Sequence, residues 1–310
     1  MNASRLLGFV TQSNQCPELD EILEKIEFKG LKPNKYFREK KIFLGEFKKD
    51  SPRKDIEISS DENVLIFIDG HITNSEELKT LHNLTSIDDT KLIRDMYQKG
   101  IKDIHRHLIG NYVVVIYDLF SEKIKIFKDH FGTRPLYYYY AEGIFIFSSE
   151  INPIKDCFNK TFNPNKKRII QYLCQFKENS KETFYEEIFS LEPSSIISYE
   201  NGAMTVEQYD HYRNYYEPDI NFNEAKEKLK TYLYMACNES LNLAKDKEIG
   251  VLLSGGLDSS VIYKTIESIQ RKKPRSISEN FISKSGDWLK CDETYYQSLV
   301  HENLGHHYSV

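Results

Sequence analysis

Ile249-Gly250-Val251-Leu252-Leu253-Ser254-Gly255-Gly256-Leu257-Asp258-Ser259-Ser260-Val261-Ile262 is the stretch on which the reading of this chain turns. An apolar run stops at Ser-Gly-Gly, and Asp-Ser-Ser opens the segment after it, a pattern that predicts a strand, a tight turn and a helix N-terminus. Two glycines let the backbone approach a bulky anion with no Cβ in the way. Free N–H groups at the helix start point at that anion, and the helix dipole favours its charge. Ser254, Ser259 and Ser260 add hydroxyl donors, and Asp258 can cap the helix or hold a metal that the anion shares. A Walker loop carries a Lys for the β- and γ-phosphates, and this loop has none. It suits gripping a phosphate or pyrophosphate rather than γ-phosphoryl transfer. The bland alternative is a Gly-rich strand–helix turn with an ordinary cap, but three serines and an Asp around Gly-Gly are unusual for a plain turn.

Around this loop the pattern predicts strand 249–253, a helix over 259–271, a strand over 275–282, a helix over 292–303 and a strand over 306–310. Ahead of it, 222–244 reads as an amphipathic helix with Phe222, Ala225, Leu229, Leu233, Ala236 and Leu241 toward a core. A β-α-β-α-β order predicts a parallel sheet with right-handed crossovers and a ligand at the carboxyl ends of its strands. His306 and His307 are adjacent on a strand, so they face opposite ways and make a poor chelate.

The first two-thirds is different. Apolar and aromatic runs at 6–10, 42–47, 63–69, 112–117, 123–127, 136–140 and 144–147 read as strands broken by turns. Helices are predicted over 75–81, capped by Asn74 or Ser75, and over 90–98 after Asp88-Asp89, with Leu92, Ile93, Met96 and Tyr97 on one face. Asn201-Gly202 between 196–199 and 204–206 is a strong hairpin signal. The length of 310 residues suggests two domains, placed at 1–210 and 211–310. Net charge of −5 gives no global electrostatic reason to expect nucleic acid. Five scattered cysteines with no C-x-x-C pair read as reduced thiols rather than disulfides or a zinc site. With no long apolar segment and no signal-peptide pattern at the start, the expectation is a soluble, cytoplasmic protein with no membrane partner.

Ser-Gly-Gly-Leu-Asp-Ser-Ser after Ile-Gly-Val-Leu-Leu resembles the pyrophosphate loop of ATP pyrophosphatases, and the asparagine synthetase family most of all. The resemblance extends upstream. Phe67-Ile68-Asp69-Gly70-His71 with Asn74, Lys128-Asp129-His130-Phe131-Gly132-Thr133-Arg134-Pro135-Leu136-Tyr137-Tyr138, Phe147-Ser148-Ser149-Glu150-Ile151 and Leu191-Glu192-Pro193 are similar to segments of that family's glutaminase half. It implies an N-terminal-nucleophile-type αββα glutaminase-like domain, followed by the start of a parallel-sheet, Rossmann-like adenine-nucleotide-binding synthetase domain. The fold class is thus α/β and α+β. It also implies an ATP-dependent, AMP-forming amide ligase: ATP adenylates a carboxylate, pyrophosphate leaves, and an amine attacks the acyl-adenylate, asparagine from aspartate being the generic product. Leu253, Ser254, Gly255, Gly256, Asp258, Ser259 and Ser260 would hold ATP and its leaving pyrophosphate, with Mg²⁺ at Asp258, and Ser276, Ile277 and Ser278 would lie on the adenine side.

The resemblance fails where glutaminase chemistry needs it. Family glutaminases begin Met-Cys-Gly-Ile and use the Cys thiolate, with its own α-amine as base. Aligning Gly8-Phe9-Val10 puts Ser4 at the Cys position, usable only if Met1–Ala3 were clipped. Asp69 replaces the oxyanion-hole Asn ahead of Gly70, and a carboxylate there repels a developing oxyanion. The segment 42–47 lacks the Arg that would hold the substrate carboxylate, while Asp89, the amine-holding position, survives. Three losses at one site predict a glutaminase dismantled and kept as scaffold. Lys290-Cys291-Asp292-Glu293-Thr294-Tyr295-Tyr296 is similar to the C-D-E-x-x-Y helix opening of relatives without a glutaminase, including lasso-peptide cyclases. The substrate is therefore expected to be a small-molecule or peptide carboxylate. The family's synthetase half continues far beyond Val310, so the C-terminal part reads as truncated. A partner chain could supply the rest, and a catalytically incomplete fragment or subunit, or a β-lactam- or lasso-type cyclising synthetase, are the alternatives.

Overall fold

The computed structural model describes residues 5–12, 32–39, 41–48, 54–55, 63–157, 161–176, 181–210, 219–244, 248–271, 274–278, 295–297 and 307–309. They fall into two compact units, Met1–Tyr215 and Tyr216–Val310.

The first unit runs β1 (Arg5–Thr11), β2 (Lys32–Glu39), β3 (Ile42–Lys48), β4 (Lys54–Asp55), β5 (Val64–Ile72), α1 (Ser75–His82), α2 (Asp89–Gln98), α3 (Ile104–His107), β6 (Gly110–Asp118) and β7 (Lys123–Lys128). It continues through β8 (Tyr137–Ala141), β9 (Ile144–Ser148), α4 (Ile151–Asp156), α5 (Lys166–Leu173), β10 (Phe189–Ser190), β11 (Ser195–Glu200) and β12 (Ala203–Gln208). Among the described residues, β10-β8-β9-β1-β3-β2-β4 make one sheet and β12-β11-β7-β6-β5 another. Pairing is antiparallel apart from β2 with β4.

Alternation along the strands produces three packed layers. Leu6, Leu44, Phe145 and Phe147 of the first sheet meet Leu65, Phe67, Val113 and Val115 of the second in one buried cluster between the sheets. The next residues along point the other way. Ile66, Val114 and Ile116 pack under Leu78, Leu92, Ile93 and Met96 of α1 and α2. Leu7, Phe9, Phe43 and Ile146 pack against Ile154 of α4. Helix, sheet, sheet, helix is the αββα sandwich that the family resemblance implies. Because both sheets are covered on both faces, their strands are apolar at nearly every position rather than at every second one. Each fully buried Leu, Ile or Phe contributes roughly 1.5–3 kcal/mol of transfer free energy.

Local signals mostly act as expected. Asp88 accepts from the Lys91 amide at 2.8 Å and caps α2. Asn201 and Gly202, with φ of 50° and 80°, close the β11–β12 hairpin. The capping of α1 differs. Asn74 stands at the N-cap without a side-chain cap bond, because its amide is used across the fold, accepting from Ile109 N and donating to His107 O.

The second unit holds α6 (Phe222–Ala244), β13 (Gly250–Leu252), α7 (Leu257–Gln270), β14 (Arg275–Ser278) and β15 (His307–Ser309), with the three strands parallel in the order β13-β14-β15. Its core is Cys237, Val251, Leu253, Tyr263 and Ile266, with Leu233 and Leu241 beside it. The apolar face predicted for α6 is therefore buried only in part: Phe222 and Leu229 are exposed. A 23-residue helix is about 34 Å long and overruns strands of three and four residues. Side chains alternate across the sheet: Val251, Ser276 and Ser278 are buried, while Leu252 and Ile277 stand exposed on the opposite face. Residues 279–282 and most of 292–303 lie outside the described residues, of which 295–297 are helical.

Candidate functional site

In the first unit, Asp69 near the end of β5 is fully buried. Its Oδ2 accepts from Ser149 Oγ at 3.1 Å, and that hydroxyl also accepts from Leu6 N at 2.9 Å. Arg5 Nη1 lies 3.9 Å from Oδ2 and Arg134 Nε 3.9 Å from Oδ1. Arg5 is held in turn by Glu150 at 3.3 Å. Where an oxyanion hole needs a neutral amide, this unit has a carboxylate between two guanidinium groups. Its charge is balanced, not available to stabilise a negative centre. Ser4 lies outside the described residues, but Arg5, the next residue, is committed to this cluster.

Gly70 comes next with φ of +125°, and a Cβ there would run into the Asn111 carbonyl on β6. Only glycine lets β5 and β6 keep the register that pairs Gly70 with Tyr112. Asp89 is also occupied: it accepts from Ile72 N at 2.9 Å and from Ser75 Oγ at 2.6 Å, tying the end of β5 to the start of α1. A substrate ammonium would have to share those oxygens. A cleft of about 610 Å³ does remain here, bordered by Gly70, Asp88, Asp89, Glu46, Lys48 and Arg94. Glu46 faces it from β3, paired with Lys48 at 2.7 Å, so a carboxylate stands in a segment that lacks the expected Arg. His71 is held below its ordinary pKa by burial and by Arg134, against the pull of Asp89. Arg5, Arg134, Ser149 and Glu150 were not predicted as site residues. The available signal was an Arg opening an otherwise apolar strand.

In the second unit the loop after β13 is a compact hydroxyl knot. Ser254 Oγ and Ser259 Oγ are 3.1 Å apart. Gly256 N donates to Ser254 Oγ at 3.3 Å and Ser254 N to Ser259 Oγ at 3.3 Å. Ser260 Oγ donates to Gly256 O at 2.7 Å. Helix α7 begins at Leu257, two residues earlier than predicted, with Gly256 as N-cap and no side-chain cap bond. Asp258 is thus in the first turn rather than at the cap, exposed and unpaired among the described residues. The first-turn amides of α7 keep no side-chain acceptor, the condition in which a helix start takes an anion.

Gly255 has φ of +82°, and a Cβ there would lie 2.8 Å from Gln297 N and 2.9 Å from the Tyr296 carbonyl carbon. The turn at 295–297 forms the near wall of the loop, which sequence spacing could not show. Ser278 is buried at the carboxyl end of β14, its hydroxyl donating to Leu253 O at 2.6 Å. A base on that side would meet its backbone, not its hydroxyl. Leu253 is buried and donates its own amide to Ile277 O at 2.8 Å. Cys291, Asp292, Glu293 and Thr294 lie outside the described residues.

Among the described residues no three His, Cys, Asp or Glu side chains gather as a metal site. A Mg²⁺ would need phosphate oxygens beside Asp258, and the unpaired Asp258 carboxylate fits that shared ligation. No helix among the described residues is long and apolar enough to cross a membrane.

A family profile described as glutamine amidotransferase domain matches residues 4–210, and one described as asparagine synthase matches 230–309. A putative glutamine-hydrolysing asparagine synthetase 2 of Methanocaldococcus jannaschii is 29% identical over 255 residues, covering 79% of this chain and 48% of that protein. An asparagine synthetase 2 of Bacillus subtilis is 28% identical over 228 residues, covering 66% of this chain and 29% of that one. Among solved structures, the glutamine phosphoribosylpyrophosphate amidotransferase of B. subtilis superposes with a TM-score of 0.40 at 12% identity, covering 98% of this chain and 74% of that one. The chain spans about half the length of the first of these relatives and less than a third of the second.

Proposed function

As the chain belongs to the glutamine amidotransferase domain family through residues 4–210, with an asparagine synthase segment behind it, we propose that it serves an ATP-dependent, AMP-forming amide ligase whose glutaminase half has become a scaffold. The observation that carries this reading is the contrast between the two sites. The Ser254–Ser260 loop orders its hydroxyls against one another and leaves the first-turn amides of α7 without a side-chain cap. At the glutamine site Asp69 is locked by Arg5 and Arg134.

In the proposed reaction a carboxylate oxygen attacks the α-phosphorus of ATP and the bond to the β,γ-pyrophosphate breaks. An amine then attacks the acyl carbon and AMP leaves. Charge grows on the departing pyrophosphate, so donors fixed in advance lower that barrier. Gly255 and Gly256 bring the backbone close, the first-turn amides of α7 face the phosphates, and the Ser254 and Ser259 hydroxyls, each holding the other, are already ordered. Mg²⁺ would supply charge neutralisation of the leaving group, shared with Asp258. Leu253 and Ser278 clasp β13 to β14 beneath the loop and fix its base. The amine is then free ammonia or an amine of the substrate itself, since glutamine cleavage has lost its machinery.

A second reading is favoured by the exposed face of the parallel sheet. With Leu252 and Ile277 uncovered, the chain would work as one component, with a partner chain carrying the rest of the nucleotide domain. Parallel sheets are ordinarily covered on both faces.

Calorimetric titration of ATP with Mg²⁺ into the full chain tests the loop. Saturable binding that pyrophosphate displaces and Asp258→Ala weakens at least tenfold is expected. Unchanged binding in Asp258→Ala removes the basis of the proposal. Pyrophosphate release with aspartate and ammonia, compared with peptide carboxylates, then assigns the acid.

A further inference from the structure

The sandwich of the first unit has a second end. Strand β1 starts at Arg5, beside Asp69, and finishes at Thr11, roughly 20 Å away at about 3.3 Å per residue. At that far end the β2–β3, β6–β7 and β11–β12 turns surround a cavity of about 570 Å³. Its floor is apolar, formed by Val10, Ile42 and Ile124. Two tyrosines, Tyr117 and Tyr199, line it although each is only 4% exposed. Among the described residues neither phenol hydroxyl has a hydrogen-bond partner. The rings are buried while their hydroxyls keep access to the cavity, so both oxygens are open to a bound molecule.

Both rings are held by packing. Tyr199 stacks on Phe145 with centroids 5.1 Å apart, and Tyr117 lies against Phe37 at 5.7 Å. Tyr140 fixes the lining residue Gly202 by donating its hydroxyl to Gly202 O at 2.7 Å. Two carboxylates, Glu39 and Glu122, stand on the rim, neither of them paired among the described residues. Lys41 is on the same rim, with its ammonium turned to the Gln12 carbonyl at 3.4 Å. Burial, then Glu122, Glu39 and Asp118, push the Tyr117 phenol up to about 12, so negative potential converges on its hydroxyl. The combination is an apolar floor, two aromatic rings, hydroxyl oxygens open to the cavity and an excess of unpaired carboxylate.

We propose that this end of the sandwich is a binding site for a small organic cation, a primary ammonium carried on an apolar chain. The ammonium would donate to the Tyr117 hydroxyl and to Glu39 or Glu122, and its chain would cover Ile42 and Ile124. Cation–π attraction to the two rings adds to the charge term. A carboxylate ligand is disfavoured by the same two glutamates, and an uncharged alcohol forfeits the ionic contacts. The site shares no residue with the proposed ATP loop or with the cleft that carries Asp69, so its outcome is independent of either.

The test uses the full chain and three probes of one length: pentylammonium, pentanol and pentanoate, followed by saturation-transfer NMR and by titration of the tyrosine ring resonances. Pentylammonium is expected to saturate, pentanol to bind more weakly, and pentanoate not to bind. Glu39→Gln with Glu122→Gln should weaken pentylammonium at least about tenfold, the worth of one charge-assisted hydrogen bond. Tyr117→Phe should weaken it a few-fold while leaving the unfolding temperature in place. Absence of saturation by pentylammonium, equal binding of all three probes, or full affinity in the double glutamine variant each overturns the proposal.

Discussion

Replacing Asp69 by Asn probes what the ion cluster does for the fold. Asp69 is fully buried, and two guanidinium groups stand 3.9 Å from its oxygens. At an effective dielectric of about 20, each contact is worth ~4 kcal/mol before desolvation. The carboxylate loses most of that to leaving water, and the arginines are about a quarter exposed, so solvent screens them. Breaking a wholly buried pair costs about 3–5 kcal/mol, and with this screening the expected loss is about 2 kcal/mol. Ser149 can still donate to the Asn carbonyl, so the hydrogen bond adds little. For a domain of this size 2 kcal/mol lowers the melting temperature by roughly 4–8 °C. Thermal unfolding followed by circular dichroism, compared between parent and variant, reads the loss. A cycle with Arg134→Met should return a coupling of about 1 kcal/mol. Glutamine hydrolysis is expected to be absent although Asn-Gly has been restored, because Glu46 still stands in the segment that lacks the expected Arg. A melting temperature within 1 °C of the parent, a coupling near zero, or recovered glutaminase activity would refute the reasoning.

Gly255→Ala should lower ATP affinity at least tenfold. At φ of +82° an Ala is strained by about 1–2 kcal/mol, and its methyl presses on the 296–297 backbone; titration calorimetry reads the loss, and parental affinity would contradict it. Gly70→Ala should cost about 3 kcal/mol or more and reduce soluble yield, measured by denaturant unfolding, since the methyl meets the Asn111 carbonyl. His105, packed against the tilted Tyr209 ring at 4.5 Å between centroids, is lowered to about 4, chiefly by burial. A group depressed on folding stabilises the protein above its unfolded value near 6.5, and that contribution is lost as pH falls toward 4. The shift is worth up to ~3 kcal/mol, so His105→Phe, which keeps a ring there, should flatten the loss of stability between pH 6.5 and 4, as followed by denaturant unfolding at each pH.

The strands of the sandwich were readable because they are covered on both sides, whereas their αββα arrangement came from the family resemblance alone. Runs such as Val64–Ile72 and Gly110–Asp118 are apolar almost throughout, and short turns punctuate them. Helix Phe222–Ala244 matched its predicted span, yet half of its apolar face proved exposed, because periodicity reports which residues share a face and not how far a partner extends. Lys32–Glu39 escaped notice: among its described side chains Phe37 is the deeply buried one, and the strand is held by ladder bonds to β3. The phosphate-type loop was legible since its chemistry is contiguous. The Arg5–Asp69–Arg134–Glu150 cluster was not, because its members come together only when β1, β5 and the segments beside β8 and β9 meet. Substitution at Asp69 announced a changed site; nothing in the linear order announced which cations would balance it.

Arg5 also decides how the opening strand is held. An N-terminal-nucleophile enzyme must expose the amine of its first mature residue, and any fused leader silences it. Here the opening strand is pinned by a guanidinium side chain gripping Asp69 and Glu150, so its place in the sheet does not depend on a free amine.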